Sequence, residues 1–184
     1  MDHNPWKIID EKTVYNNAWI NLTEYNVINP GGGKGIYGKV HFKNIAVGVI
    51  VLDEELNTYL VGQYRFTLNA YSWEIPEGGS PINTDPLESA KRELMEETGL
   101  VATDWKPFFT MHLSNSVSDE KGIVYLARGL RQEKPEPEET ELLIVKKIPF
   151  TEAVEMVDNG QITDSMSVAA IYKVQLLLAQ GKLK

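Results

Sequence analysis

The most tightly specified element in the sequence is the helix expected over Pro86–Thr98, because its start, its faces and its stop are all legible. Asp85 is a suitable N-cap, Pro86 fits the first helical position, and Glu88 stands three residues after the cap. Gly99 follows where a C-cap belongs. At about 100° per residue, Leu87, Ala90 and Leu94 share one face, suited to packing on a sheet. Glu93, Glu96 and Glu97 fall on a neighbouring face, where like charges at this spacing cost about 0.2–0.5 kcal/mol per pair. Three carboxylates converging beside a buried face call for a cation, and all-oxygen ligation suits Mg²⁺ or Mn²⁺ rather than zinc. The alternative is a solvated acidic face, with Lys91 and Arg92 flanking the acids. The spacing alone leaves both readings open.

The rest of the chain reads as strands around that helix. Ile45–Leu52 and Thr58–Tyr64 are apolar, β-branched runs separated by a hairpin loop at Asp53–Asn57. Tyr71–Ile75, Phe108–Leu113, Gly122–Ala127 and Leu142–Ile148 are further strand candidates. Two more helices are expected, from about Glu152 to Asp158 and from about Ser165 to Gln180, with Gly160 and Gly181 at their ends. Before this block, residues 18–28 are rich in β-branched and aromatic residues and alternate partly from Ile20 to Tyr25, the 29–33 segment breaks the chain, and Gly35–Phe42 is a candidate second strand. Residues 1–42 are too few to hold a core, so they read as a β arm on a domain of residues 43–184. The fold class is α/β (α+β).

Charge and composition exclude several functions. The formal net charge is −8, with 26 acidic against 18 basic residues, which argues against a nucleic-acid binder. A small phosphate ligand stays possible if divalent cations invert the local sign. There is no cysteine, which removes disulfides, thiolate zinc sites and cysteine nucleophiles. No apolar run reaches the roughly 18 residues needed to cross a membrane. The opening residues lack the basic and apolar character of a signal peptide, so the expected location is the cytoplasm. Ser116 and Ser118 lack a paired histidine, and His3, His41 and His112 are isolated, so no serine triad is expected.

Around the helix, the stretch from Gly78-Gly79 to Arg92-Glu93-Leu94-Met95-Glu96-Glu97-Thr98-Gly99-Leu100 resembles the signature of the Nudix hydrolases. That signature is a glycine, a spacer, then R-E-apolar-x-E-E-x-G-apolar. The preceding Trp73-Glu74-Ile75-Pro76-Glu77 and the strand pattern through Ile148 are also similar to that family. One position departs: Thr84 stands where the family usually has a glutamate that supports the motif arginine. Arg92 must then take other partners, and Glu96 and Glu88, one turn to either side, are the candidates.

The resemblance implies a Nudix fold, a mixed β-sheet sandwiched between helices, and Mg²⁺-dependent (or Mn²⁺-dependent) hydrolysis of a nucleoside diphosphate linked to another group. It makes Glu93 and Glu97 the leading metal ligands, with Glu96 close behind and the backbone carbonyl of Glu77 a further candidate. Glu96 and Arg92 belong with the catalytic machinery, while Arg65, Glu74 and Trp73 are the expected substrate-binding residues. Arg65 suits bidentate phosphate contact. By analogy with relatives that hydrolyse ADP-ribose, the late loop at 138–141 supplies a base, Glu139, and an extra ligand, Glu141. The N-terminal arm and this loop resemble the ADP-ribose pyrophosphatase branch, so ADP-ribose leads as substrate. The segment 113–120 has no proline where that branch often has one, which keeps a nucleotide sugar such as GDP-mannose close behind. In relatives the arm helps to form a homodimer, and the same is expected here. A nucleotide-binding sensor without catalysis would have lost one of the three helix glutamates.

Overall fold

The computed structural model describes residues 3–133 and 143–183. Its centre is a parallel pair, β4 (Asn44–Val51) and β9 (Lys121–Gln132), in register from Ala46 opposite Gly122 to Val51 opposite Ala127. β4 is apolar along both faces because both are covered, as parallel strands require. Val47, Val49 and Val51 point to one side, where Ala90 and Leu94 of α1 (Pro86–Thr98) meet them. Ile50 and Leu52 point to the other, among Leu60, Phe150, Met166 and Ile171. Helices α2 (Phe150–Asp158) and α3 (Ser165–Ala179) cover that second side. The central sheet is completed by β7 (Glu77–Pro81) and β8 (Leu100–His112) in the order β7-β4-β9-β8. β10 (Ile144–Pro149), β5 (Asn57–Arg65) and β6 (Ala70–Glu74) form a second sheet in the order β10-β5-β6. The expected fold, a mixed β-sheet between helices, is the one observed.

The N-terminal segment forms its own antiparallel sheet of β1 (Lys7–Asn16), β2 (Ile20–Ile28) and β3 (Lys34–Phe42). β1 carries no sequence signal of a half-buried strand because every residue in it is exposed, so no face of it is selected to be apolar. β7 was also hidden: Glu77-Gly78-Gly79-Ser80-Pro81 has poor strand propensity and is a strand only because β4 pairs with it. β8 starts at Leu100, well before the expected Phe108, and bridges Pro107 with a register shift.

Short-range signals fared better. Asp85 caps α1 by accepting from the Leu87 N–H at 3.0 Å, and Gly99 ends it in the left-handed region at φ 70°. Glu88, expected to complete a capping box, instead pairs with Lys91 at 2.7 Å. The hairpin loop between β4 and β5 is organised by one carboxylate. Asp53 accepts from the N–H groups of Glu55 (2.9 Å) and Asn57 (2.8 Å), and Lys147 Nζ of β10 lies 2.8 Å away.

Burial opposes the charge on Asp53, but the Lys147 ammonium and the donors from Asn57 and Glu55 outweigh it and hold the carboxyl at about 2. Its folded value therefore lies below the unfolded one of about 4, so its stabilisation is complete above about pH 4 and is lost as pH falls towards about 2. Asp53→Ala is expected to cost about 1–3 kcal/mol near neutral pH. Urea unfolding of both proteins at about pH 7 and about pH 3 should show the gap narrowing in acid. An equal gap at both values would reassign the stabilisation to something other than the ionised carboxylate.

Candidate active site

The site is built on the contact between α1 and β7. Packing of Ala90 and Leu94 on β4 fixes the rotation of the helix, and β7, paired to β4 with Gly78 opposite Val47, lies along its next face. That approach is close enough that a Cβ placed on Gly78 would sit 2.1 Å from the carboxyl carbon of Glu93. Only glycine lets the Glu93 carboxylate lie on the strand backbone. One turn on, Glu97 is buried, and its Oε2 accepts from the Glu77 N–H at 3.0 Å. Arg92 binds Glu93 Oε1 through Nη2 at 2.6 Å, pairs through Nη1 with Glu96, and reaches the Gly79 carbonyl at 3.3 Å. Of the two carboxylates expected to replace the missing motif acid, Glu96 does so and Glu88 does not. Burial disfavours the Arg92 charge, but Glu93 and Glu96 more than restore it and raise its pKa.

A second guanidinium closes the other side. Arg65, at the end of β5, meets Glu74 Oε1 through Nε at 2.9 Å and Glu77 Oε1 through Nη2 at 2.8 Å. Despite partial burial, these acids push its pKa up. Glu74 keeps 4% of its side-chain surface exposed and Glu77 11%, so this is a nearly dry cluster. Glu77 Oε2 is buried and has no hydrogen-bond partner among the described residues. Desolvation, reinforced by Asp164, Glu74 and Glu97, drives the Glu77 carboxyl well above the usual range against the pull of Arg65.

These groups open onto a cleft of about 530 Å³. Arg65, Glu77, Arg92, Glu93 and Glu96 line it together with Gly78, so five of the ten expected site residues converge there. Glu97 lies beneath its floor, against the Glu77 backbone. Glu74 faces an adjoining hollow of about 350 Å³ that shares Arg65 and Glu77 with the cleft. Trp73 lines neither hollow: its ring packs against the core, edge-on to Tyr71 at 5.5 Å and under Lys146 Nζ at 4.0 Å. Glu139 and Glu141 lie outside the described residues.

The sequence reading missed other lining groups. Trp19 and Phe42 come from the arm, Gln63 from β5, Glu120 from the segment before β9, and Met166 from α3. Asp164 caps α3 through the Ser167 N–H at 2.8 Å and faces the adjoining hollow. Its place beside Arg65 and Glu77 depends on where α3 docks.

The cleft walls hold four carboxylates, Glu77, Glu93, Glu96 and Glu120, against two guanidiniums. Such a surface repels a polyanion unless cations bind with it. Among the described residues, no three acid or imidazole side chains already stand together at metal-ligating spacing. Glu93 and Glu96 are held by Arg92, and Glu97 by the Glu77 N–H. The donor chemistry nonetheless fits Mg²⁺ or Mn²⁺. The carboxylates are hard oxygens on one helix face, Gly78 leaves the Glu93 head uncovered by any side chain of its own, and Glu77 Oε2 is an orphaned buried acceptor.

Comparison with known proteins agrees with this geometry. The model of the NUDIX domain matches residues 42–166. The chain is 33% identical over 178 residues to an ADP-ribose pyrophosphatase of Mycobacterium tuberculosis (strain ATCC 25618 / H37Rv), covering 95% of this chain and 85% of that protein. It is 29% identical over 172 residues to an ADP-ribose pyrophosphatase of Bacillus subtilis (strain 168), covering 92% of each. A crystal structure of an ADP compounds hydrolase superposes with a TM-score of 0.85 over 97% of both chains at 20% identity, which establishes likeness of fold. A domain match across more than half of the chain, joined to a relative one-third identical along nearly all of it, places the protein among the Nudix hydrolases, as a pyrophosphohydrolase acting on a nucleotide-linked substrate.

Proposed function

We propose that the protein hydrolyses the pyrophosphate of ADP-ribose, giving AMP and ribose 5-phosphate, with Mg²⁺ or Mn²⁺ as cofactor. The observation that carries the reading is the carboxylate-rich cleft with two guanidiniums, in a chain two of whose relatives over nearly full length are ADP-ribose pyrophosphatases. Glu93, Glu97 and Glu96, with the Glu77 carbonyl, would hold the metal, which neutralises phosphate charge and activates water when bound. Arg65 and Arg92 give phosphate oxygens fixed guanidinium donors. Each is held by carboxylates on its inner side, so neither must be ordered at the moment of binding. Trp19, 67% exposed on the cleft rim, offers an aromatic face to a base. Glu74 holds Arg65 in place, and Trp73 stands beside Glu74 on β6, edge-on to Tyr71. Glu139 takes the proton from the attacking water, and Glu141 is an additional ligand.

Residues 1–42 serve as a dimerisation arm on the hydrolase domain of residues 43–184, and the protein works in the cytoplasm. Trp6, Ile8, Ile9, Val14 and Ile36 are exposed on the arm sheet, an apolar surface that a second copy would cover.

Three outcomes are expected. ADP-ribose turnover, measured as AMP release, should need a divalent cation and fall by at least about 10²-fold in Glu97→Gln. Full turnover in excess chelator would remove the metal from the reading. Glu139→Gln should lower kcat by about 10²–10⁴-fold with little change in KM. Unchanged kcat there, beside an inactive Glu141→Gln, would transfer the base role to Glu141. Light scattering at micromolar concentration should report a dimer, and a monomer would refute the role given to the arm. A panel including GDP-mannose decides the substrate by the highest kcat/KM.

A further inference from the structure

The arm contributes Trp19 and Phe42 to the cleft, yet it belongs to a sheet separate from the one that carries the carboxylates. Something must hold the two walls in register. Among the described residues, apart from the bonds of Lys43, the residue that directly follows β3, the hydrogen bonds that cross from β1–β3 to the rest of the fold end on residues 116–119. Val40 N–H donates to the Val117 carbonyl at 2.9 Å, and the Tyr37 hydroxyl donates to the Ser116 carbonyl at 2.6 Å. Asp119 makes the rest. Its N–H donates to the Val40 carbonyl at 3.1 Å, and its Oδ1 accepts from the Phe42 N–H at 3.0 Å. Its Oδ2 lies 2.8 Å from His41 Nδ1 and 3.5 Å from Lys39 Nζ.

The next residue on one side of this grip is Glu120, and the gripped strand ends at Phe42; both line the cleft. We infer that Asp119 is a positioning residue for the active site: by clamping residues 39–42 of the arm, it sets the aromatic wall of the cleft against its carboxylate floor. It touches no reacting atom. The clamp is a carboxylate accepting from a backbone N–H and flanked by two basic side chains, a charge-assisted arrangement stronger than a neutral contact. Residues 40–42 are continuous with Lys43, whose N–H donates to the Trp19 carbonyl at 2.9 Å and whose Nζ bonds Asn16 Oδ1 at 2.7 Å. Holding β3 therefore also holds the strand turn that carries Trp19.

This role rests on the proposed hydrolysis only for its kinetic readout. An aromatic wall out of register weakens substrate binding and leaves the metal-side chemistry intact, so the effect falls on KM. Asp119→Ala should raise KM for ADP-ribose about tenfold, the equivalent of one charge-assisted hydrogen bond, with kcat within about threefold. Asp119→Asn keeps an oxygen for the Phe42 N–H and should recover most of that loss. A loss of folded protein would lower apparent kcat in proportion to active enzyme and leave KM unchanged, so a KM effect rescued by asparagine separates the clamp from such a defect. Unchanged KM in Asp119→Ala, or a fall in kcat alone, overturns the inference. Hydrogen exchange at the Val40 and Phe42 amides, followed without substrate, should speed up in Asp119→Ala and recover in Asp119→Asn. If the wild type hydrolyses no nucleoside diphosphate compound, the function proposed above fails, and the exchange experiment still decides the clamp: unchanged protection at these amides refutes it.

Discussion

A carboxylate lying on bare backbone is the contact on which this molecule turns. Glu93 rests on Gly78, and any side chain there would overlap it. The contact demands that α1 and β7 approach closely, which in turn demands that both be tied to β4: the helix by Ala90 and Leu94, the strand by its pairing. β4 can anchor both because its two faces are separately buried, the valines towards α1 and Ile50 and Leu52 towards α2 and α3. An acidic helix face next to a buried one is unstable alone. Here Arg92, the Glu77 N–H and the cleft share out its charge.

Both arginines of the cleft are pre-held by acids. Arg65 between Glu74 and Glu77, and Arg92 between Glu93 and Glu96, are ordered by partners that already belong to the fold. Rigid donors bind an anion with less entropy to lose than free ones. The same arrangement leaves an acid excess, visible in the raised pKa of Glu77, whose surroundings include Asp164, Glu74 and Glu97. A family member without the usual motif glutamate, with Thr84 in its place, still holds its arginine because Glu96 is one helical turn away.

The walls of the cleft come from six parts of the chain: the arm, β4, β5 with β7, α1, the segment leading into β9, and α3. Bringing them together is a problem of sheet registration more than of local structure. The seam between arm and body is narrow, and the hydrogen bonds across it gather at residues 116–119. A small number of groups therefore governs how an aromatic wall faces a charged floor.

Local chemistry was readable in the sequence. The cap at Asp85, the stop at Gly99, the hairpin at Asp53–Asn57 and the face shared by Glu93, Glu96 and Glu97 all depend on residues a few positions apart, whose geometry the helix and turn impose. The motif around them was enough to reach the family and most of the cleft floor. What tertiary structure alone decided depends on distant pairing. β7 is a strand because β4 offers it hydrogen bonds, not because Glu77–Pro81 favour extension. Trp73, an aromatic beside the motif, went to the core side because strand alternation and its neighbours Tyr71 and Lys146 placed it there, while Trp19, far away in sequence, reached the cleft. Asp119 and Asp164 carry no pattern that distinguishes them from surface acids; their partners, His41 and Phe42 for one and Ser167 for the other, become neighbours of the site only when β3 and α3 dock. Periodicity reports which side of an element is buried, and the identity of what lies opposite is settled only by the packing of elements that are remote in sequence.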